Sequence, residues 1–271
     1  MYQFSFGLGP VQISLQIGMG KGGGNEFEPA GPTWQDAVRA SAGYAAAGIF
    51  EKAIGAARQV RDGKAAFERD TVLFQQPEYS HQMLAWMLLA RLRLGKLSVL
   101  DFGGGFGSRY FQHKSLFREL GHVRWAVVEQ DNIVDAGQAE FNTDELRFFW
   151  TIEQAEQGVS PNFLLVSSSL QYMEKPYEML EALLAKRYPY FLLDRTMARP
   201  GLRDELYIQH VPPAIYRASY PVWFLNAQKI EELVQSHGYK LVERVDPYPG
   251  STFGSPQKGW PYMSWYFEQV K

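Results

Sequence analysis

Residues 98–111 read SVLDFGGGFGSRYF. An apolar run, Val99-Leu100, ends at Asp101. Gly103, Gly104, Gly105 and Gly107 follow within five positions, and an aromatic stretch comes next. Glycine loses the most conformational freedom on folding, so four of them directly after a buried strand need a reason. Close approach of a ligand to the backbone is the usual one.

Outward from this stretch the chain alternates between strands and helices. Strands are expected at 98–102, 123–129 (VRWAVVE), 146–150, 162–167 (NFLLVS), 190–194 (YFLLD), 239–245 and 263–270. Helices are expected at 108–120, 135–141, 177–186 and 226–237. The alternation predicts an α/β fold: a doubly wound, Rossmann-like, seven-stranded sheet whose last two strands form an antiparallel hairpin. Ligands of such sheets bind outside the carboxyl ends of the strands, where strand order reverses. The glycine stretch falls there.

Upstream, residues 34–94 carry apolar residues at helical spacing, as in Trp34, Ala37 and Val38, and again in Met83, Leu84, Met87 and Leu88. They predict a helical cap over 26–96, ahead of the Rossmann-like domain at 97–271. The methionine stripe reads as core packing. Residues 2–6 and 11–17 alternate apolar with polar around Gly7-Leu-Gly-Pro10. Either a β-hairpin or an unstructured tail fits them, and a Gly-rich linker follows at 18–25.

Composition narrows the function classes. The 271 residues carry a net charge of −2 with no basic block, so nothing marks a nucleic-acid surface. No run approaches 18 apolar residues, and the amino terminus lacks the pattern of a secretory signal. The absence of cysteine removes disulfides, thiolate nucleophiles and cysteine metal sites, and fits a reducing, cytoplasmic setting. No metal is expected.

Asp101-Phe102-Gly103-Gly104-Gly105-Phe106-Gly107 fits D-x-G-x-G-x-G. The dinucleotide pattern G-x-G-x-x-G, started at Gly103, fails at Ser108, and no Gly-Lys-Ser/Thr follows for a Walker loop. The fitting pattern, with an acidic residue ending the next strand, resembles that of class I S-adenosylmethionine-dependent methyltransferases. Glu129 supplies the acid, which can accept hydrogen bonds from ribose hydroxyls. WQDAVRASAGY, ERDTVLF, VRWAVVEQ, SSSLQYMEKPYEML, LLDRT and VPPAIYRASYPVWFL occur in order around it. Over residues 34–243 the chain resembles an uncharacterised methyltransferase family associated with surface-polysaccharide gene clusters. The resemblance implies S-adenosylmethionine as cofactor, held by Asp101, Phe102, Gly103, Gly104, Gly105, Gly107, Glu129, Gln130 and Ser168. It does not name the acceptor. The hairpin and linker depart from the family's pattern.

Methyl transfer needs donor and acceptor held in line, and a hydroxyl acceptor also needs a base. Tyr172, after the fourth strand, is expected to position a small or sugar-like acceptor. Asp194 and His210 are the candidate bases, Asp194 with an ion-pair alternative to Arg195. Among the other histidines, His81 of the helical cap is a further candidate, His113 is expected to face solvent or pack locally, and His122 and His237 lie at element ends. The apolar, aromatic stretch from Pro212 to Phe224 is expected as a loop, either lining the acceptor or packing as a lid on the amino-terminal helices; 258–262 would add to its wall. Self-association is the one protein partnership expected. The rivals are a non-catalytic cofactor-binding module and a nucleotide-sugar or NAD-linked enzyme.

Overall fold

The computed structural model describes residues 3–8, 11–16, 26–43, 48–121, 123–201, 203–213, 215–245 and 262–270, the first two segments by backbone alone. In those two, β1 (Gln3–Leu8) and β2 (Val11–Gln16) pair antiparallel with Leu8 opposite Val11, the hairpin alternative. The linker at 18–25, His122 and residues 258–261 lie outside the described residues.

The next stretch is not purely helical. It runs β3 (Glu26–Pro29), α1 (Trp34–Ala40), α2 (Ile49–Arg61), β4 (Phe67–Arg69), β5 (Val72–Phe74) and α3 (His81–Leu94). Thr33 caps α1 in a reciprocal capping box with Asp36. Gly95, left-handed at φ 73°, ends α3.

From residue 97 the alternation is present: β6 (Leu97–Phe102), α4 (Ser108–Leu120), β7 (Val123–Val128), α5 (Asp131–Glu140), β8 (Leu146–Phe149), α6 (Ile152–Val159), β9 (Phe163–Ser167), a single 3-10 turn at Leu170–Tyr172, α7 (Pro176–Leu184), β10 (Tyr190–Arg199), β11 (Glu205–His210), β12 (Ser219–Asn226), α8 (Ala227–Ser236), β13 (Tyr239–Val245) and β14 (Tyr262–Gln269). The seven expected strands lie side by side as β8-β7-β6-β9-β10-β14-β13. β14 runs antiparallel to both β10 and β13, and the other six strands all run in one direction.

Among the described residues the sheet nevertheless has ten strands, not seven. β10 continues past Asp194 to Arg199 after a register shift between Leu193 and Thr196. Its far end pairs with β12, which pairs with β11, which pairs with β3. The second half of the expected loop at 212–224, from Ser219 onward, is therefore strand. Pro221 hides this in the sequence, because a proline argues against a central strand. It is tolerated because β12 meets β10 only at Leu225 and Asn226, beyond Pro221.

Both sheet faces are covered, which makes strand interiors continuously apolar. Leu100, Ala126, Leu164 and Val166 pack with residues of α6, α7 and α8. Val99, Trp125, Val127 and Leu165 pack with residues of α2, α3, α4 and α5. The helices expected as a cap thus include two, α2 and α3, that belong to a layer of the main sheet. Met83 and Met87 are buried there. Chain order reverses between β6 and β9, so the switch point sits above the ends of those two strands.

Candidate active site

Asp101 ends the buried part of β6, and the chain then turns over its carboxyl group. Gly103, Gly105 and Gly107 have φ of 74°, 56° and 81°, the left-handed region glycine enters freely. Gly103 donates its N–H to Val128 O (2.9 Å), holding the loop beside β7. A Cβ at Gly103 would stand 2.5 Å from Ser169 Cβ, and one at Gly104 would stand 2.5 Å from Asp101 Cγ. A Cβ at Gly105 would meet nothing within 4 Å, so the space over this residue is open.

Glu129 follows β7 and turns toward the loop. Its Oε1 accepts the Gly105 N–H (3.2 Å) and its Oε2 accepts the Gln130 N–H (2.8 Å). Burial raises its pKa, opposed by these two N–H groups. Gln130 is exposed at the amino end of α5. Asp101 is fully buried, with its carboxyl group packed against Gly104. Trp125 Nε1 donates to its Oδ2 (3.0 Å), while Oδ1 has no hydrogen-bond partner. Burial pushes its pKa up to about 7.

Across the switch point, the pairing of β9 with β10 ends at Ser167 and Asp194. Ser168 (φ 58°) and Arg195 (φ 49°) are both left-handed, and Ser168 donates its N–H to Asp194 O (2.9 Å). Ser169 Oγ donates to Phe102 O (2.9 Å), tying this turn to the glycine loop. Asp194 is buried and both its oxygens are engaged. Oδ2 accepts from Ser167 Oγ (2.6 Å) and Arg109 Nη2 (3.0 Å), and Oδ1 accepts from Ser264 Oγ (2.9 Å). Its ion-pair partner is therefore Arg109 of α4, not Arg195, whose guanidinium lies over the Tyr262 ring at 5.5 Å. Arg195 is left-handed within the register shift of β10, and its side chain leaves the Asp194 carboxylate for the Tyr262 ring.

Tyr172 donates its hydroxyl to Gln209 Oε1 (3.0 Å), and Gln209 Nε2 donates to Tyr220 OH (3.4 Å). Tyr172 and Tyr220 meet edge to face at 5.4 Å. Tyr216 lies beside Tyr220 and Tyr262 beside Tyr172, which makes a wall of four tyrosines; burial, chiefly, raises Tyr216 and pushes Tyr262 up to about 12. The turn of the β4–β5 hairpin, Asp70-Thr71, lies near both, since the Asp70 carboxylate adds to each of those rises. Glu68 at its base accepts the Ser108 hydroxyl and the Thr71 N–H.

His210 does not join this wall. It follows Gln209 on β11, so its side chain takes the opposite face, where Nε2 meets Glu28 Oε2 at 3.2 Å with 42% of the side chain exposed. Trp223 stacks on Trp34 of α1, the packing alternative for that stretch. His81 is exposed at the start of α3. His113 is fully buried rather than solvent-facing: its Nε2 accepts the Ser80 N–H (3.0 Å), and Nδ1–H donates to Arg109 O (2.8 Å).

Arg109, Ser167, Ser169 and Gln209 were not singled out from sequence. Arg109 carried a signal. A cation in the first turn of a helix opposes the helix dipole, so it calls for an anionic partner nearby.

No protein-family model and no curated protein matches the chain. Solved structures do. One is the 1,6-didemethyltoxoflavin-N1-methyltransferase of Burkholderia thailandensis with 1,6-didemethyltoxoflavin and S-adenosylhomocysteine bound (16% identity, 81% of this chain and 87% of that chain, TM-score 0.41). Another is a glycopeptide N-methyltransferase complexed with S-adenosylmethionine (15%, 68% and 86%, 0.45). A third is an amino pentose methyltransferase of Micromonospora echinaspora (10%, 71% and 92%, 0.42).

Proposed function

We propose that this chain is an S-adenosylmethionine-dependent methyltransferase acting on an oxygen of a small or sugar-like acceptor. The observation that carries the reading is Glu129, a carboxylate at the end of β7 turned onto the glycine loop at the switch point. A carboxylate offers about four lone-pair sites, and the Gly105 and Gln130 N–H groups take two. The remainder suit the adjacent hydroxyls of a ribose. The open space over Gly105 suits the rest of the cofactor.

When bound, the cofactor supplies a methyl group already activated on a sulfonium. The chain then has three tasks. The Gly103–Gly107 backbone admits the cofactor, with Asp101 and Phe102 supporting the loop from below. Glu129 holds the ribose, with Gln130 and Ser168 on either side of the loop. Tyr172, fixed by Gln209, orients the acceptor from the tyrosine wall. We assign Asp194 a holding role, because its oxygens already serve Arg109, Ser167 and Ser264. Orientation then supplies most of the rate.

The test is calorimetry with S-adenosylhomocysteine, with NAD as control. Wild type is expected to bind the former only, and folded Glu129→Ala and Gly105→Val variants to lose that binding. Absence of wild-type binding, or unchanged affinity in both variants, overturns the reading.

A further inference from the structure

Arg109 is the second residue of α4, where the helix dipole is unfavourable to a cation. Its side chain is only 11% exposed. The guanidinium spends its donors on Asp194 Oδ2 (3.0 Å), Ser167 Oγ (3.2 Å) and Gln112 Oε1 (3.1 Å). Ser167 and Asp194 are not arbitrary partners. They form the last paired rung of β9 with β10. Directly beyond it both chains turn left-handed, and that turn carries Ser169 to Phe102 O and against Gly103. The glycine loop is thus tied to one rung at two points. Ser169 holds its start, and Arg109 holds the helix just past its end.

We propose that Arg109 is a positioning residue for the cofactor site. By clamping α4 to the Ser167–Asp194 rung, it sets the span of the Gly103–Gly107 loop and so the direction of the loop N–H groups. The proposal rests on the reading of that loop as the cofactor cradle. The competing role is plain charge neutralisation of buried Asp194. The two differ in what a charge-balanced substitution does. Removing one partner of a buried pair strands the other, whereas removing both charges together need not destabilise.

The experiment compares wild type, Arg109→Met/Asp194→Asn and Arg109→Lys. The double variant leaves no stranded charge and keeps groups for Ser167 and Ser264 to bond. The lysine keeps the charge but loses the planar fork. Melting temperature reports folding, amide hydrogen exchange reports the loop, and calorimetry with S-adenosylhomocysteine reports the site. Both variants are expected to exchange the 103–107 amides about tenfold faster while the β6 and β9 amides keep wild-type protection. Affinity for S-adenosylhomocysteine is expected to fall about tenfold. A folded variant with wild-type loop exchange and wild-type affinity overturns the clamp. If the double variant does not fold, Arg109→Lys alone decides. If wild type does not bind S-adenosylhomocysteine, the cofactor reading falls and loop exchange decides the clamp by itself.

Discussion

Gly103, Gly104 and Gly105 are consecutive, yet they are not glycines for one reason. The first two leave no room for a side chain, against Ser169 and Asp101 respectively, while the third faces open space. Gly103→Ala and Gly104→Ala are therefore expected to destabilise the fold by about 2 kcal/mol each, as overpacking does. Gly105→Ala should cost about 1 kcal/mol, for its left-handed backbone alone. Its larger effect should be on cofactor affinity. Urea unfolding and calorimetry on the three variants separate these outcomes; equal stability losses would contradict them. His113 makes a second prediction at this scale. Burial, first of all, holds its pKa near 4, below the 6.5 of a free histidine. A depressed folded-state value means the contribution is present above pH 6.5 and lost as pH falls toward 4. Asp101, raised to about 7, works in the opposite direction, so wild type alone does not isolate the histidine. Between pH 7 and pH 5, wild type should lose about 2 kcal/mol more unfolding free energy than a folded His113→Gln variant. Identical pH slopes in the two proteins would refute the assignment.

Among the elements, the β4–β5 hairpin stores the clearest strain. Its two turn residues, Asp70 and Thr71, have φ of 51° and 68°, and Thr71 is β-branched. Two-residue hairpins of this kind favour Asn-Gly or Asp-Gly. Thr71→Gly is expected to stabilise the protein by about 1 kcal/mol, read as a higher urea midpoint at unchanged slope. No gain would mean that an interaction of the threonine side chain offsets the strain. Elements were legible in sequence in proportion to how local their cause is. The helix at Ser108–Leu120 begins at the residue read for it because Gly107 and Gly121 bound it in the sequence itself. β11 and β12 were not legible, since their pairing joins segments across a proline-containing stretch and depends on β10 running on past Asp194.

For the whole molecule, the cofactor reading makes a thermodynamic prediction. A ligand that binds only the folded chain stabilises it by mass action, about 2.7 kcal/mol at a hundred times its dissociation constant. S-adenosylhomocysteine should therefore raise the melting temperature in a concentration-dependent way. The rise should vanish in Glu129→Ala. An equal rise in both proteins would place the ligand elsewhere.

The α/β alternation, the seven central strands, the glycine loop and the acidic residue that faces it are all readable from the chain alone. Each of these depends on residues close together in the chain: apolar runs, glycine stops, and one carboxylate at a strand end. Tertiary structure alone decided that Arg109 and not Arg195 meets Asp194, that His210 turns away from Tyr172, and that Gln209 fixes the tyrosine wall. Those pairings join residues from separate strands and helices. Which of two adjacent side chains reaches a partner depends on strand register and face, and a one-residue change in register reverses the outcome.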